Sequence, residues 1–153
     1  MGLHAKLAAL SGTWQGTNRL NASWMPDPIK ESLSTASVRT MLNDTCLEIE
    51  YDWEFDGKHE EGLILLTCDK KGGAAHAFWS DSWHSANQLM SCVGTVSESG
   101  EVNLKGTYKV EGNPDWGWRT KILPGDGSFR YLMFNVSPEG LEEWAVEMDF
   151  TRT

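Results

Sequence analysis

Apolar and polar residues alternate with a period of two along most of the chain after Thr13. In the clearest segment, residues 47–55, one face is apolar and the other carries only carboxylates. The apolar face holds Ile49, Tyr51, Trp53 and Phe55, and the acidic face holds Glu48, Glu50, Asp52 and Glu54. This alternation is typical of antiparallel strands with one face in the core and one in water.

The pattern predicts about ten short strands joined by hairpin-type connections rich in Gly, Pro, Asn and Asp. In the last of them, Trp144, Val146, Met148 and Phe150 are predicted to share the core-facing side. The predicted strands cover residues 13–20, 37–42, 47–55, 63–68, 75–81, 88–96, 102–110, 116–123, 129–136 and 143–150. Only Leu3 to Leu10 are predicted to form a brief helix.

Short, regular turns favour an all-β, up-and-down antiparallel barrel, because closure removes the exposed strand edges. We predict a single domain over residues 1–153, with a short helix and lead-in at 1–12 and the barrel at 13–153. A β-sandwich stays open as an alternative, because turn spacing alone does not separate the two architectures.

Composition and charge argue against some classes of binding partner. The chain has 153 residues, a formal net charge of −9 and eight Trp. The acidic balance argues against nucleic acid and against anionic membrane surfaces, since both need Lys and Arg to neutralise them. The excess of tryptophan indicates that these side chains line a large apolar cavity or fill a large apolar core.

Three features favour a cytoplasmic location. The cysteines are odd in number and widely spaced, at Cys46, Cys68 and Cys92, as expected for reduced, buried thiols. The N-terminal segment has His4 and Lys6 inside its short apolar run and lacks the pattern of a signal peptide. No apolar run approaches the roughly 20 residues of a membrane-spanning helix.

The predicted helix runs into Ser11-Gly12-Thr13-Trp14 at the first strand. A Gly-x-Trp motif in this position resembles the lipocalin-like, or calycin, barrels. The resemblance implies that Trp14 plugs the closed end and that an Arg of the last strand, here Arg152, packs across its ring in a cation–π contact.

Three further motifs resemble a bacterial family of uncharacterised small proteins, the domain-of-unknown-function family numbered fifteen seventy-nine. They are FWSDSWH, PDWGWR and NVSPEG, and their order spans most of the chain. The resemblance implies a lipocalin-like barrel and supplies neither a reaction nor a ligand.

The FWSDSWH segment holds the most informative polar residue. On a straight strand Trp79, Asp81 and Trp83 share one face, while His84 points to the other. If the tryptophan face lies inside the barrel, burial raises the pKa of Asp81 unless a cation or hydrogen-bond donors contact the carboxylate. We predict Arg119 as that cation, although it needs a bulge at Gly117 to share a face with the neighbouring tryptophans. An ion pair with no ligand is an equal alternative.

Other chemistry has less support. His76 and His84 lie eight residues apart, which is roughly 26 Å along a strand and too far to hold one metal ion. Ser82 and His84 are predicted to face away from Asp81, so a catalytic triad is not expected. The haem-binding mode of some related barrels needs a histidine near the C-terminus, and none follows His84. We therefore predict no metal, no cofactor and no identifiable catalytic residue.

The leading hypothesis is a carrier or sensor barrel for a small apolar or aromatic molecule. The predicted ligand-binding residues are Trp53, Trp79, Asp81, Trp83, His84, Trp116, Trp118, Arg119 and Tyr131. One alternative is an enzyme on the same barrel that uses Asp81 or His84 as a base and Arg119 as an anion contact. The other is a structural or interaction protein, and a homodimer stays open.

Overall fold

Ten antiparallel strands close into a barrel in the computed structural model, which describes residues 2–85 and 87–153. Each strand pairs with the next along the chain, and the first pairs with the last. The elements are α1 Ala5–Ala8, β1 Gly12–Asn21, β2 Ile29–Met41, β3 Cys46–Phe55, β4 Lys58–Cys68, β5 Gly73–Asp81, β6 Met90–Val96, β7 Val102–Tyr108, β8 Trp116–Pro124, β9 Ser128–Val136 and β10 Glu142–Arg152. The predicted all-β, up-and-down barrel with a short N-terminal helix is confirmed.

Two ends of the barrel differ in what closes them. Because the strands alternate in direction, the connections that follow β1, β3, β5, β7 and β9 lie at one end, which we call the mouth. Helix α1 and the remaining connections lie at the other end, the base. None of the helices within residues 2–85 and 87–153 is long and apolar enough to cross a membrane.

The base is closed by Trp14 and Arg152, as the Gly-x-Trp resemblance implied. The Arg152 guanidinium lies 4.3 Å from the centre of the Trp14 ring and donates hydrogen bonds to the carbonyl oxygens of Ala9 and Ser11. The Trp14 indole N–H donates to the Leu10 carbonyl at 2.8 Å. Gly12 is required here, because its φ is +137° and a Cβ would lie 2.7 Å from the guanidinium.

Alternation predicts the core-facing side correctly in β3, where Ile49, Tyr51 and Trp53 are buried. It fails in β10, because the pairing with β9 shifts by one residue between Trp144 and Val146. The extra residue moves Trp144 to the outer face, where Arg19 lies 5.6 Å from its ring centre. The prediction that Trp144 shares the core-facing side with Val146 was therefore wrong.

Candidate functional site

Three residues on neighbouring strands form a row near the mouth. In the strand register Tyr51 of β3 lies opposite Gly62 of β4, and Gly62 lies opposite Asp81 of β5. A Cβ at Gly62 would lie 2.0 Å from the Tyr51 ring, so the ring occupies the space above the glycine. Tyr51 can therefore reach across β4 to the carboxylate of Asp81.

The Asp81 side chain is completely enclosed, with 0% of its surface exposed. Its Oδ2 accepts hydrogen bonds from the Tyr51 hydroxyl at 2.8 Å and from the Trp53 indole N–H at 3.2 Å. Its Oδ1 accepts from the backbone N–H groups of Trp83 at 2.9 Å and His84 at 3.1 Å. Both oxygens are satisfied, as a buried carboxylate requires.

His84 also lies beside Asp81, which corrects the prediction that the two point apart. Strand β5 ends at Asp81, and residues 82–85 form a turn that carries the imidazole back over the carboxylate. His84 Nδ1 lies 3.2 Å from Asp81 Oδ1. That separation suits an ion pair, although Nδ1 makes no hydrogen bond of standard geometry.

Asp81 is ionised at neutral pH. Burial alone raises the pKa of Asp81, but the contact with His84 and the hydrogen bonds from Tyr51 and the Trp83 backbone together lower it below its ordinary value of 3.8. Burial and the charge on Asp81 raise the pKa of Tyr51 well above 10. The Tyr51 hydroxyl thus stays protonated and continues to donate.

Four indole rings surround the imidazole of His84. The centre of the His84 ring lies 4.7 Å from the ring centre of Trp83, 5.3 Å from Trp118, 5.5 Å from Trp53 and 6.1 Å from Trp79. We call these four tryptophans the His84 cage. The predicted tryptophans therefore converge, but on a side chain of the protein itself.

The interior is filled with rings at this level, because side chains of β5 and β8 touch across the two strands between them. Trp79 of β5 stacks on Trp118 of β8 with ring centres 5.2 Å apart. The strands between them carry Gly94 and Gly106 at core-facing positions, where the Asn103 carbonyl lies close to Gly94 and the Met90 side chain lies over Gly106. The aromatic interior is thus a contact network of rings in the described structure.

Several polar atoms in this interior have no partner. Within residues 2–85 and 87–153, Trp118 Nε1, Thr120 Oγ1 and Tyr131 Oη are buried without a hydrogen bond from the protein, as is Asn18 Oδ1 near the middle of β1. Trp118 and Thr120 occupy successive core-facing positions of β8. On the neighbouring strand β9, Tyr131 lies opposite Ile122, and its ring centre lies 5.4 Å from that of Tyr51. An unsatisfied buried polar group costs about 1–3 kcal/mol.

Arg119 lies outside this interior, so the predicted Asp81–Arg119 pair was wrong. The pairing of β8 with β7 and β9 is continuous from Gly117 to Ile122, without the bulge that would turn Arg119 inward. The guanidinium instead donates to Glu142 at 2.6 Å and to Asn103 at 2.7 Å on the outer face. Trp116 is half-buried at the first position of β8, on the mouth side of Trp118.

The mouth is covered in part by Trp24, which lies beside the His84 cage. Trp24, in the connection between β1 and β2, is 67% exposed and stacks on Trp83 with ring centres 6.2 Å apart. Trp83 also contacts Phe55 at 5.1 Å. The rings link two connections across the top of the His84 cage.

Sequence reasoning missed three residues of this region: Tyr51 as a polar contact, Gly62 and Glu60. Glu60 is a second buried carboxylate of the mouth, which accepts a hydrogen bond from the Ser82 hydroxyl and lies 3.6 Å from Lys58 Nζ. Period-two alternation already placed Tyr51 on the same face as Trp53. Gly62 and Glu60 lacked such a signal, because their role depends on which strand lies beside β4.

A separate concavity of about 840 Å³ lies on the outer face of β1 to β5. Its lining includes outward-facing hydroxyl and carboxylate side chains, among them Thr35, Ser37, Glu50 and Glu61, together with Leu63. It is separated from the His84 cage by the barrel wall. Among the described residues, no three His, Cys, Asp or Glu side chains are grouped so that they could hold a metal ion.

The fold and the site define a small up-and-down β-barrel protein with a buried carboxylate and an aromatic cluster at its mouth. The chain belongs to the family described as Protein of unknown function (DUF1579), which matches residues 2–152. The family resemblance of the sequence motifs is thus confirmed. No curated protein matches the chain.

Proposed function

We propose that the protein is a binding barrel, a carrier or sensor, for a small molecule with an aromatic or apolar body. The ligand enters at the mouth and contacts Trp118, Thr120 and Tyr131. This proposal keeps the lipocalin-like character that the Gly-x-Trp motif suggests.

The observation that carries the proposal is the set of buried polar atoms without protein partners on β8 and β9. Nearly all buried polar groups in native proteins are hydrogen-bonded, so three of them in one region call for a partner. An indole N–H can only donate, and a hydroxyl can donate. A ligand that hydrogen-bonds to the Trp118 indole N–H and the Tyr131 hydroxyl therefore carries an acceptor, such as a carbonyl or ether oxygen.

Binding requires ring movement, because Trp79 and Trp118 are in contact. Pockets for drug-sized ligands usually have volumes of about 300–1,000 Å³. The mouth-side rings are the movable ones, since Trp83 is half-buried and Trp24 is largely exposed. The base is held by Arg152 and Trp14 and is expected to stay closed.

The test combines native mass spectrometry of freshly purified protein with a ligand screen read by tryptophan fluorescence. A bound molecule of constant mass, or saturable quenching that Tyr131→Phe and Trp118→Phe weaken, supports the proposal. Trp144→Phe, a change on the outer face, is the matched control and should leave binding unchanged. Protein without a bound molecule and no quenching by aromatic amides, ketones or heterocycles would overturn it.

An enzyme is the second candidate, and the Asp81–His84 pair favours it. A carboxylate 3.2 Å from an imidazole nitrogen can orient the ring, as in general base catalysis. Hydrolysis of ester or amide substrates that is abolished in His84→Gln and reduced in Asp81→Asn would support it. Equal rates in wild type and His84→Gln would remove it.

A further inference from the structure

His84 occupies its cage as a ligand would. Its side chain is only 10% exposed, yet it comes from the turn after β5 and enters from the mouth. All four rings of the His84 cage lie within 6.1 Å of its centre. A small planar nitrogen heterocycle is thus already surrounded on several sides by aromatic faces.

The charges around the cage select for a cation. Among the described residues, His84 is the only basic side chain within ion-pair distance of the enclosed Asp81 carboxylate. Glu60, also buried, adds a second carboxylate at the mouth, and within residues 2–85 and 87–153 the cation within ion-pair distance of it is the exposed Lys58. The faces of indole rings attract cations, and the attraction is largest where water is excluded. A buried carboxylate also repels any anionic ligand.

We propose that the His84 cage is a binding site for a planar nitrogen cation, such as an imidazolium, amidinium or guanidinium group, and that the His84 ring fills this position until a ligand displaces it. The inference rests on the proposed function and names the charged part of its ligand. The cationic group takes the place of the imidazole beside Asp81. An acceptor oxygen elsewhere in the same ligand meets Trp118 Nε1 and Tyr131 Oη.

The test removes the His84 ring by mutation and then adds free imidazole in solution. His84→Ala leaves the four indoles and Asp81 in place, and imidazole at pH 6 supplies the cation. Pyrazole is its isomer with the same shape and stays neutral at this pH. Apolar cavities made by truncation in other proteins bind small molecules that fit. His76→Ala, an exposed change on strand β5, is the matched control.

We expect imidazole to raise the thermal midpoint of His84→Ala in a saturable way, and to bind it at least about tenfold more tightly than pyrazole, a ratio that corresponds to about 1.4 kcal/mol. Wild type and His76→Ala should bind imidazole at least about tenfold more weakly, because their cage is filled. In the double variant Asp81→Asn/His84→Ala the preference for imidazole over pyrazole should disappear.

If His84→Ala does not fold alone, recovery of its native near-ultraviolet circular dichroism by imidazole and not by pyrazole counts as support. Equal affinity for the two isomers, or imidazole binding that Asp81→Asn leaves unchanged, would overturn the cation site. The outcome of the ligand screen and the outcome of the imidazole test are separate results. A barrel that retains a neutral ligand while His84→Ala shows no preference for imidazole keeps the proposed function and loses this inference.

Discussion

The hydroxyl of Tyr51 donates to the carboxylate of Asp81 across an intervening strand, at 2.8 Å. Gly62, between them, has no side chain, and the Tyr51 ring lies in the space that a side chain would fill. The Trp79 indole N–H donates in turn to the Tyr51 hydroxyl at 3.0 Å. One phenol thus links β3, β4 and β5 at the level of the site.

Gly62→Ala should destabilise the barrel strongly. The new methyl group overlaps the Tyr51 ring and displaces its hydroxyl from Asp81, and core overpacking typically costs about 1–3 kcal/mol. We expect a loss at the upper end of that range, measured by urea unfolding. In a Tyr51→Ala background the same change should cost less than about 0.5 kcal/mol, because the colliding ring is gone. Equal costs in both backgrounds would contradict the assignment.

Removal of two buried tyrosine hydroxyls should have opposite effects on stability. Tyr131→Phe deletes an unpartnered hydroxyl, so the free energy of unfolding should stay equal or rise by about 1 kcal/mol. Tyr51→Phe deletes a hydroxyl with two partners and should cost about 1–3 kcal/mol, because Asp81 loses a donor. Urea unfolding of both variants measures the difference. A clear destabilisation by Tyr131→Phe would show that its hydroxyl has a partner in solution.

Asp81 should contribute to acid unfolding. Its pKa is lower in the folded state than its ordinary value of 3.8, so the unfolded chain takes up the proton first as the pH falls. The stabilisation is present above pH 3.8 and is lost as the pH falls through the lower pKa of the folded protein. Urea unfolding between about pH 5 and pH 2 should therefore show a shallower pH slope for Asp81→Asn than for wild type. Asp126→Asn, an exposed change in the connection after β8, should keep the wild-type slope.

Tyr51 and Tyr131 should ionise at a higher pH than an exposed tyrosine. Burial raises the pKa of Tyr51 and of Tyr131 well above 10, so the neutral phenols stabilise the folded state. This contribution is complete below pH 10 and is lost as the pH rises through the folded-state pKa values, because the unfolded chain ionises first. Spectrophotometric titration should show tyrosinate from these two residues only together with loss of the native circular dichroism. Separate, earlier ionisation of two phenols would contradict their burial.

Arg152→Lys should weaken the base of the barrel. A lysine keeps the charge but loses the flat stack on Trp14 and the paired hydrogen bonds to the carbonyl oxygens of Ala9 and Ser11. We expect a loss of about 1–2 kcal/mol in the free energy of unfolding. Arg130→Lys, which alters an exposed pair with Asp149, is the matched control and should cost less than about 0.5 kcal/mol. Equal losses in Arg152→Lys and Arg130→Lys would show that the Arg152–Trp14 stack contributes no more than an exposed ion pair.

The sequence predicted the site unevenly. Trp53, Trp79, Trp118 and Tyr131 were placed correctly on core-facing positions, because alternation within a strand is a local property. Arg119 was expected beside Asp81, yet uninterrupted pairing of β8 keeps it on the outer face. His84 was expected to point away, yet β5 ends at Asp81 and the following turn reverses its direction. The first prediction assumed a bulge that β8 does not have, and the second assumed that β5 continues straight past Asp81.

The closed base at Trp14 and Arg152 was expected from the resemblance to the calycin barrels, whereas the residue pattern itself determined the ten-stranded meander and the inward-facing tryptophans of β3, β5 and β8. These last two features follow from residue spacing within single strands and from turns between neighbours. Only the tertiary structure decided that Tyr51 meets Asp81 over Gly62, that His84 is surrounded by four indoles, and that the bulge lies at Trp144 rather than Gly117. Those contacts join strands and connections far apart along the chain, and they depend on the register at which the barrel closes.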